Sequence, residues 1–83
     1  MVKLRSPTDP KISFGERLRA LRNGAGLSQE ELGHKANVDR TYVSSCERGK
    51  RNVTLEIIVR FATALEISPG SLLSEIQVPG GRP

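Results

Sequence analysis

Apolar residues recur along this chain at the three- and four-residue spacing of amphipathic helices, and no segment alternates with the two-residue period of a strand. The first such stripe consists of Phe14, Leu18 and Leu21. Ser13 provides a capping signal in front of it, which predicts a helix from Ser13 to about Asn23. The chain as a whole is expected to form five short helices.

Two further helices are predicted in the centre of the chain, on either side of a tight turn. Ser28 and Glu31 form a capping box for the first, which runs to Ala36. Asn37 tolerates the left-handed conformation of a sharp helix end, and Asp39 can cap the next helix. The second helix has apolar residues on one face and polar residues around the rest, a pattern typical of helices that enter the major groove of DNA.

The fourth predicted helix is apolar on two faces. Thr54 caps it, and it runs to Leu65. One stripe is Leu55, Ile58, Val59, Ala62 and Leu65, and the other is Ile57, Phe61 and Ala64. A surface helix needs only one apolar stripe, so the second is expected to contact another copy of the chain. With a fifth helix capped by Ser68, the predicted dimer interface contains Ile57, Phe61, Leu72, Leu73 and Ile76.

These elements predict an all-α fold, a compact five-helix bundle built around a helix-turn-helix. Residues 1–11 are interpreted as a flexible basic arm, 12–77 as the DNA-binding and dimerisation domain, and 78–83 as an unstructured tail. For the arm, contact with DNA and the absence of any role are both open.

The positive charge is concentrated in two parts of the chain. The net charge is +4 over 83 residues. Residues 1–26 contain six basic and two acidic residues, and residues 37–52 contain four basic and two acidic residues. Residues 53–83 contain two basic and three acidic residues. One end of the molecule is therefore expected to face phosphates. Three aromatic residues are too few for a stacking surface that binds single strands, so duplex DNA is the favoured partner.

Several other classes of function are not supported by the residue pattern. Cys46 is the only cysteine and His34 the only histidine, so neither a disulfide nor a metal site is expected, and no cofactor is predicted. The sequence lacks a catalytic constellation, so the protein is not expected to be an enzyme. No signal peptide or membrane span is evident, which indicates a cytoplasmic protein, and a chain of this length suggests no small-molecule effector domain.

The motifs LSQEEL, DRTYVSSCERGKRNVTLE and ATALEISPGSLL, between Leu27 and Leu73, resemble the xenobiotic-response-element type of helix-turn-helix. Phage repressors and Cro belong to this lambda-repressor-like family. DRTYVS followed by ERGKRN is most similar to the controller proteins of restriction-modification genes. Gly33 and Asn37 depart from the usual alanine and glycine, and both are compatible with the turn. The resemblance implies a homodimeric, sequence-specific transcriptional regulator whose partner is double-stranded DNA.

The resemblance also implies roles for individual residues. A buried ion pair is implied between Arg22 and Glu47, which helical spacing places on the inner faces of their helices. The first turn of the second central helix is expected to meet base edges, and the loop after it to meet the DNA backbone. The predicted base contacts are Arg40, Thr41, Tyr42, Ser44, Ser45 and Arg51. The predicted phosphate contacts are Gln29, Arg48, Lys50 and Asn52.

Two alternatives remain open at this level. An antitoxin-type or prophage repressor uses the same module, and a protein-interaction module keeps the fold without binding DNA. A neighbouring methyltransferase or endonuclease gene would support the controller interpretation, and a toxin gene the antitoxin one. The basic residues of the central motif argue against the interaction module.

Overall fold

A computed structural model describes residues 9–74 and residue 76 of the chain. This part contains five helices and no strand, which confirms the predicted all-α class. The helices are α1 (Pro10–Gly24), α2 (Gln29–Ala36), α3 (Arg40–Glu47), α4 (Leu55–Leu65) and α5 (Pro69–Leu72). The contacts of α3 with α1 and α2, and of α4 with α2 and α5, build one bundle around a common core.

Helix α1 begins earlier than its capping signal predicted. Asp9 is the N-cap, and its side chain accepts a hydrogen bond of 2.9 Å from the backbone N–H of Lys11. Pro10 occupies the first turn, where its fixed φ favours the helix and its missing N–H leaves no donor unpaired. The start predicted at Ser13 is therefore wrong. Pro10 and Lys11, assigned to the arm, belong to α1, while residues 1–8 and the tail 78–83 lie outside the described residues.

The capping signals of the central motif are confirmed. Ser28 and Glu31 form the reciprocal capping box of α2, with bonds of 3.0 and 2.8 Å. Asn37 ends α2 with φ of 60°, in the left-handed region that asparagine tolerates better than most residues. Asp39 caps α3 by accepting a hydrogen bond of 2.9 Å from the backbone N–H of Thr41. Local side-chain chemistry thus fixes the turn that sets α3 against α2.

The core corrects the assignment of the two faces of α4. Phe61 and Leu72 are 0% exposed, so the prediction that they lie in a dimer interface is wrong. Phe61 is the largest fully buried side chain, and an aromatic ring of this size fills the centre of a small bundle. In contrast, Leu55 and Val59 from the stripe assigned to the core are 73% and 43% exposed. The outward apolar side of α4 is therefore formed by Leu55 and Val59.

The backbones of α1 and α3 approach closely at Gly15, and this contact fixes the position of α3 against α1. A methyl group at Gly15 would overlap with the carbonyl oxygen of Cys46 and lie 2.7 Å from that of Glu47. Only a residue without Cβ permits this contact between backbones. Val43 and Cys46 are buried on the inner face of α3, so its outer face is left for other contacts.

Candidate nucleic-acid interface

The first turn of α3 presents polar side chains to solvent. Arg40 and Thr41 are exposed, and within residues 9–74 the guanidinium of Arg40 has no hydrogen-bond partner. The Thr41 hydroxyl donates a hydrogen bond to Oδ2 of Asp39, the same atom that accepts from the Thr41 backbone N–H. These two bonds hold the pKa of the Asp39 carboxyl below its ordinary value, so the carboxylate is ionised at neutral pH.

The C-terminal end of α3 is held by the predicted ion pair. Arg22 Nε lies 2.6 Å from Oε2 of Glu47, and a second bond of 3.0 Å joins Nη2 to Oε1. Arg22 also donates to the carbonyl of Leu27 over 2.8 Å. The hydrogen bond to Glu47 raises the pKa of Arg22, although burial opposes this shift. The two side chains are 11% and 3% exposed, so the pair lies inside the protein and joins α1 to α3.

Gln29, predicted to contact a phosphate, has an internal partner. Its Nε2 donates a hydrogen bond of 3.0 Å to Oε1 of Glu47, which extends the ion pair to the first residue of α2. The sequence did not indicate this bond, because it depends on the packing of α2 against α3. Gln29 retains part of its hydrogen-bonding capacity and lies half-buried at the start of α2. The network therefore joins the start of α2 to the C-terminal end of α3, the two helices expected to meet the DNA backbone and bases.

Tyr42 and Arg51 form a stacked pair between α3 and the following loop. The Arg51 guanidinium carbon lies 5.2 Å from the centroid of the Tyr42 ring, a cation–π geometry. Tyr42 is half-buried against the core, and burial raises the pKa of its hydroxyl. Burial also raises the pKa of the neighbouring Cys46 thiol to about 11. The ring thus packs inward while Arg51 remains exposed above it, and Arg51 is the member of the pair with free access to a ligand.

The remaining hydroxyls of α3 are also engaged. Ser45 Oγ donates a hydrogen bond of 2.9 Å to the carbonyl of Thr41, and Arg48 Nη1 donates to Oγ of Ser44. Both serines are half-buried, whereas Arg48 is exposed. The predicted base contacts are therefore not equivalent, because Arg40 and Thr41 lie at the surface and the serines lie partly behind it.

The loop after α3 gathers exposed basic side chains next to this surface. Gly49 has φ of 75° and turns the chain, and the backbone N–H of Lys50 donates a hydrogen bond of 3.0 Å to the carbonyl of Ser45. Lys50, Arg51 and Asn52 are all exposed. Their side chains give the loop the positive potential that favours contact with a polyanion.

The described part of the chain contains neither a cluster of metal ligands nor a membrane-spanning helix. No group of three or more histidine, cysteine, aspartate or glutamate side chains lies close enough to hold a metal ion. None of the helices described is long and apolar enough to span a membrane.

Comparison with known proteins places this arrangement in a family. Residues 13–76 match the model of the helix-turn-helix domain. Control protein C.MunI of a Mycoplasma species is 43% identical over 70 residues, which cover 83% of this chain and 95% of that protein. Control protein C.BamHI of Bacillus amyloliquefaciens is 39% identical over 64 residues, covering 76% and 79% respectively.

The chain is also similar to a solved structure of a controller protein. The crystal structure of the restriction-modification controller protein C.AhdI from Aeromonas hydrophila is similar with a TM-score of 0.72 and 52% sequence identity, covering 74% of this chain and 92% of that one. The chain therefore belongs to the helix-turn-helix family, in the branch that contains the restriction-modification controller proteins.

Proposed function

We propose that this protein is a non-enzymatic, homodimeric regulator of transcription that binds a specific site in double-stranded DNA and controls restriction-modification genes. The observation that carries the proposal is the exposed first turn of α3, where Arg40 and Thr41 stand on a helix fixed at both ends. Asp39 caps one end, and the Arg22–Glu47 ion pair holds the other. The names of the relatives as control proteins support the same conclusion.

In this proposal α3 lies in the major groove and reads bases through its first turn. Arg40 has the fork of donors that pairs with O6 and N7 of guanine. Lys50 and Asn52 in the following loop contact phosphates, and the backbone amides at the start of α2 add a further anion contact beside Gln29. Arg51 reaches the DNA from its position above the Tyr42 ring.

Two copies would be joined through the outward apolar side of α4 and the end of α5. Leu55 and Val59 lie four residues apart and therefore on one side of α4, and Leu73 is 42% exposed. Ile57 and Ile76 are half-buried and border this surface in the proposal. A two-fold axis through it would give each subunit one half-site, with centres about 34 to 36 Å apart along the DNA.

DNA binding is tested by selecting a preferred site from random duplexes and then measuring affinity by fluorescence anisotropy. Arg40→Ala should weaken binding to the preferred site by about 1 to 3 kcal/mol per half-site and leave non-specific affinity nearly unchanged. Lys35→Ala is the charge-matched control, because Lys35 lies beside Leu65 and Glu66 at the far end of α4. If no site is enriched by the folded protein, the proposal is wrong; an equal loss on every sequence would make Arg40 only a phosphate contact.

Dimerisation is tested by sedimentation of a variant with a new charge on the exposed apolar surface. Leu55→Glu should give a folded monomer at tens of micromolar, because the side chain is 73% exposed and contributes little to the core. Ala20→Glu, on the exposed side of α1, is the matched control and should remain dimeric. A wild-type protein that stays monomeric at this concentration and still binds one half-site tightly would contradict the dimer.

A further inference from the structure

Each hydroxyl on the outer part of α3 has an internal partner of defined chemistry. The Thr41 hydroxyl is bonded to the Asp39 carboxylate, and the Ser45 hydroxyl is bonded to the Thr41 carbonyl over 2.9 Å. The Ser44 hydroxyl is bonded to the Arg48 guanidinium. These three partners determine which hydroxyls still have a proton to donate.

The direction of each bond follows from the partner. An ionised carboxylate and a carbonyl can only accept, so Thr41 and Ser45 are the donors in their bonds. A hydroxyl has one proton, which leaves these two side chains with lone pairs alone for an outside ligand. A guanidinium can only donate, so Ser44 accepts and keeps its own proton. Of Thr41, Ser44 and Ser45, two are therefore acceptors toward any ligand, and Ser44 is a donor.

Of these groups, Thr41 is the one best placed to meet DNA. It is exposed, whereas Ser44 and Ser45 are half-buried. An acceptor cannot bind a phosphate oxygen, which also only accepts. In the major groove it can bind the amino groups at N6 of adenine and N4 of cytosine, but not O6 of guanine or O4 of thymine.

We propose that Asp39 is a positioning residue for specificity: by taking the Thr41 proton, it makes Thr41 select adenine or cytosine over guanine or thymine at one operator position. This inference rests on the proposed function, since it requires α3 to lie in the major groove. The Asp39 carboxylate supports it, because a negative charge beside Thr41 repels phosphate and favours a contact inside the groove.

The test measures base preference at each position of the selected site for wild type and three variants. Thr41→Val keeps the shape of the side chain and removes the hydroxyl, so the preference for adenine or cytosine at one position should fall by about three- to tenfold, the range of one hydrogen bond. Thr41→Ser keeps the hydroxyl and should keep the preference. Asp39→Gly retains an acceptable N-cap and frees the Thr41 proton, so guanine and thymine should become tolerated at that position.

A modified base tests the same contact from the side of the DNA. Where the preferred base is adenine, purine is substituted because it lacks the amino group at N6; where it is cytosine, 2-pyrimidinone is substituted because it lacks that at N4. Wild type should lose affinity on this duplex by the same factor as Thr41→Val loses on the unmodified one. The two losses should not add when they are combined, because they remove the same bond.

Several results would overturn the inference. An equal loss of affinity on all sequences in Thr41→Val would make Thr41 a phosphate contact. A base-preference profile of Thr41→Val that matches wild type would show that the hydroxyl reads no base. A preference for guanine or thymine that depends on the Thr41 hydroxyl would show that it donates. In each case a selected site and an effect of Arg40→Ala would leave the proposed function standing; failure to select any site would remove both. If Asp39→Gly does not fold by circular dichroism, Thr41→Val and the modified base decide the matter.

Discussion

Replacing Glu47 by alanine should strongly destabilise the protein. The carboxylate accepts two hydrogen bonds from Arg22 and one from Gln29, and its side chain is 3% exposed. Its removal leaves a guanidinium that is 11% exposed, with the Leu27 carbonyl as its remaining acceptor among the described residues. Breaking a buried pair from one side costs about 3 to 5 kcal/mol. A chain of this size has a total stability of about 4 to 12 kcal/mol, so at least a quarter of it would be lost.

Thermal unfolding followed by circular dichroism measures this loss. For a domain of this size, one kcal/mol corresponds to about 4 to 8 °C in Tm, so a loss of about 3 to 5 kcal/mol in Glu47→Ala should lower Tm by roughly 12 to 40 °C. Replacing both partners, with Arg22→Met and Glu47→Leu together, leaves no buried charge and should cost no more than about 1 kcal/mol. A single variant that loses less than about 1 kcal/mol, or a double variant that loses the sum of both single changes, would refute the reasoning.

Three further outcomes are expected. Gly15→Ala should lower the free energy of unfolding, measured in urea, by about 1 to 3 kcal/mol, because the new methyl group overlaps with backbone carbonyls. Gly24→Ala is the control: no atom lies within 4 Å of its Cβ position, so it should be neutral or stabilising by about 0.5 kcal/mol. Lys50→Ala should lower affinity for all DNA sequences and reduce the slope of log K against log salt by about one, and an unchanged slope would remove Lys50 from the interface. Burial raises the pKa of Cys46 from 9.0 to about 11, so the unfolded chain loses the thiol proton at lower pH than the folded protein does. The free energy of unfolding should therefore fall by about 2 kcal/mol as the pH rises from 9.0 to about 11. Cys46→Ala should lack this part of the decline, and an identical pH profile in both proteins would contradict it.

The helix boundaries that the sequence predicted correctly are those encoded by neighbouring residues. The caps at Ser28, Asp39 and Thr54 act over two or three positions, so they can be identified without knowing the fold. The predicted start of α1 was wrong because two capping signals lie close together in the sequence. The helix begins at Pro10, after the N-cap Asp9, and not at Ser13.

The burial of the apolar residues of α4 could not be predicted from the sequence pattern alone. Both stripes are apolar at helical spacing, so periodicity cannot tell which residues of each stripe face inward. Both stripes contribute to the core: Phe61 is buried from one, and Ala62 and Leu65 are buried from the other. Leu55 and Val59 are left at the surface. The proposed interface therefore loses Phe61 and Leu72 and gains Leu55 and Val59.

The candidate site was predictable in its outline and not in its contacts. The exposed basic loop and the Arg22–Glu47 pair follow from spacing and from the family resemblance, and the pair is confirmed. The bond from Gln29 to Glu47 and the stacking of Arg51 on Tyr42 depend on side-chain conformations across elements. Such contacts leave no periodic signal in the sequence.

The contacts between α1 and α3 bear on how new binding preferences evolve. The contact at Gly15 and the ion pair at Glu47 both hold the C-terminal half of α3, while Arg40 and Thr41 in the first turn are exposed. Exchanges in that turn therefore change few buried contacts and should cost little stability. The fold can accept a new set of reading residues while its scaffold stays intact, so that related regulators can diverge in target without first acquiring compensating changes in the core.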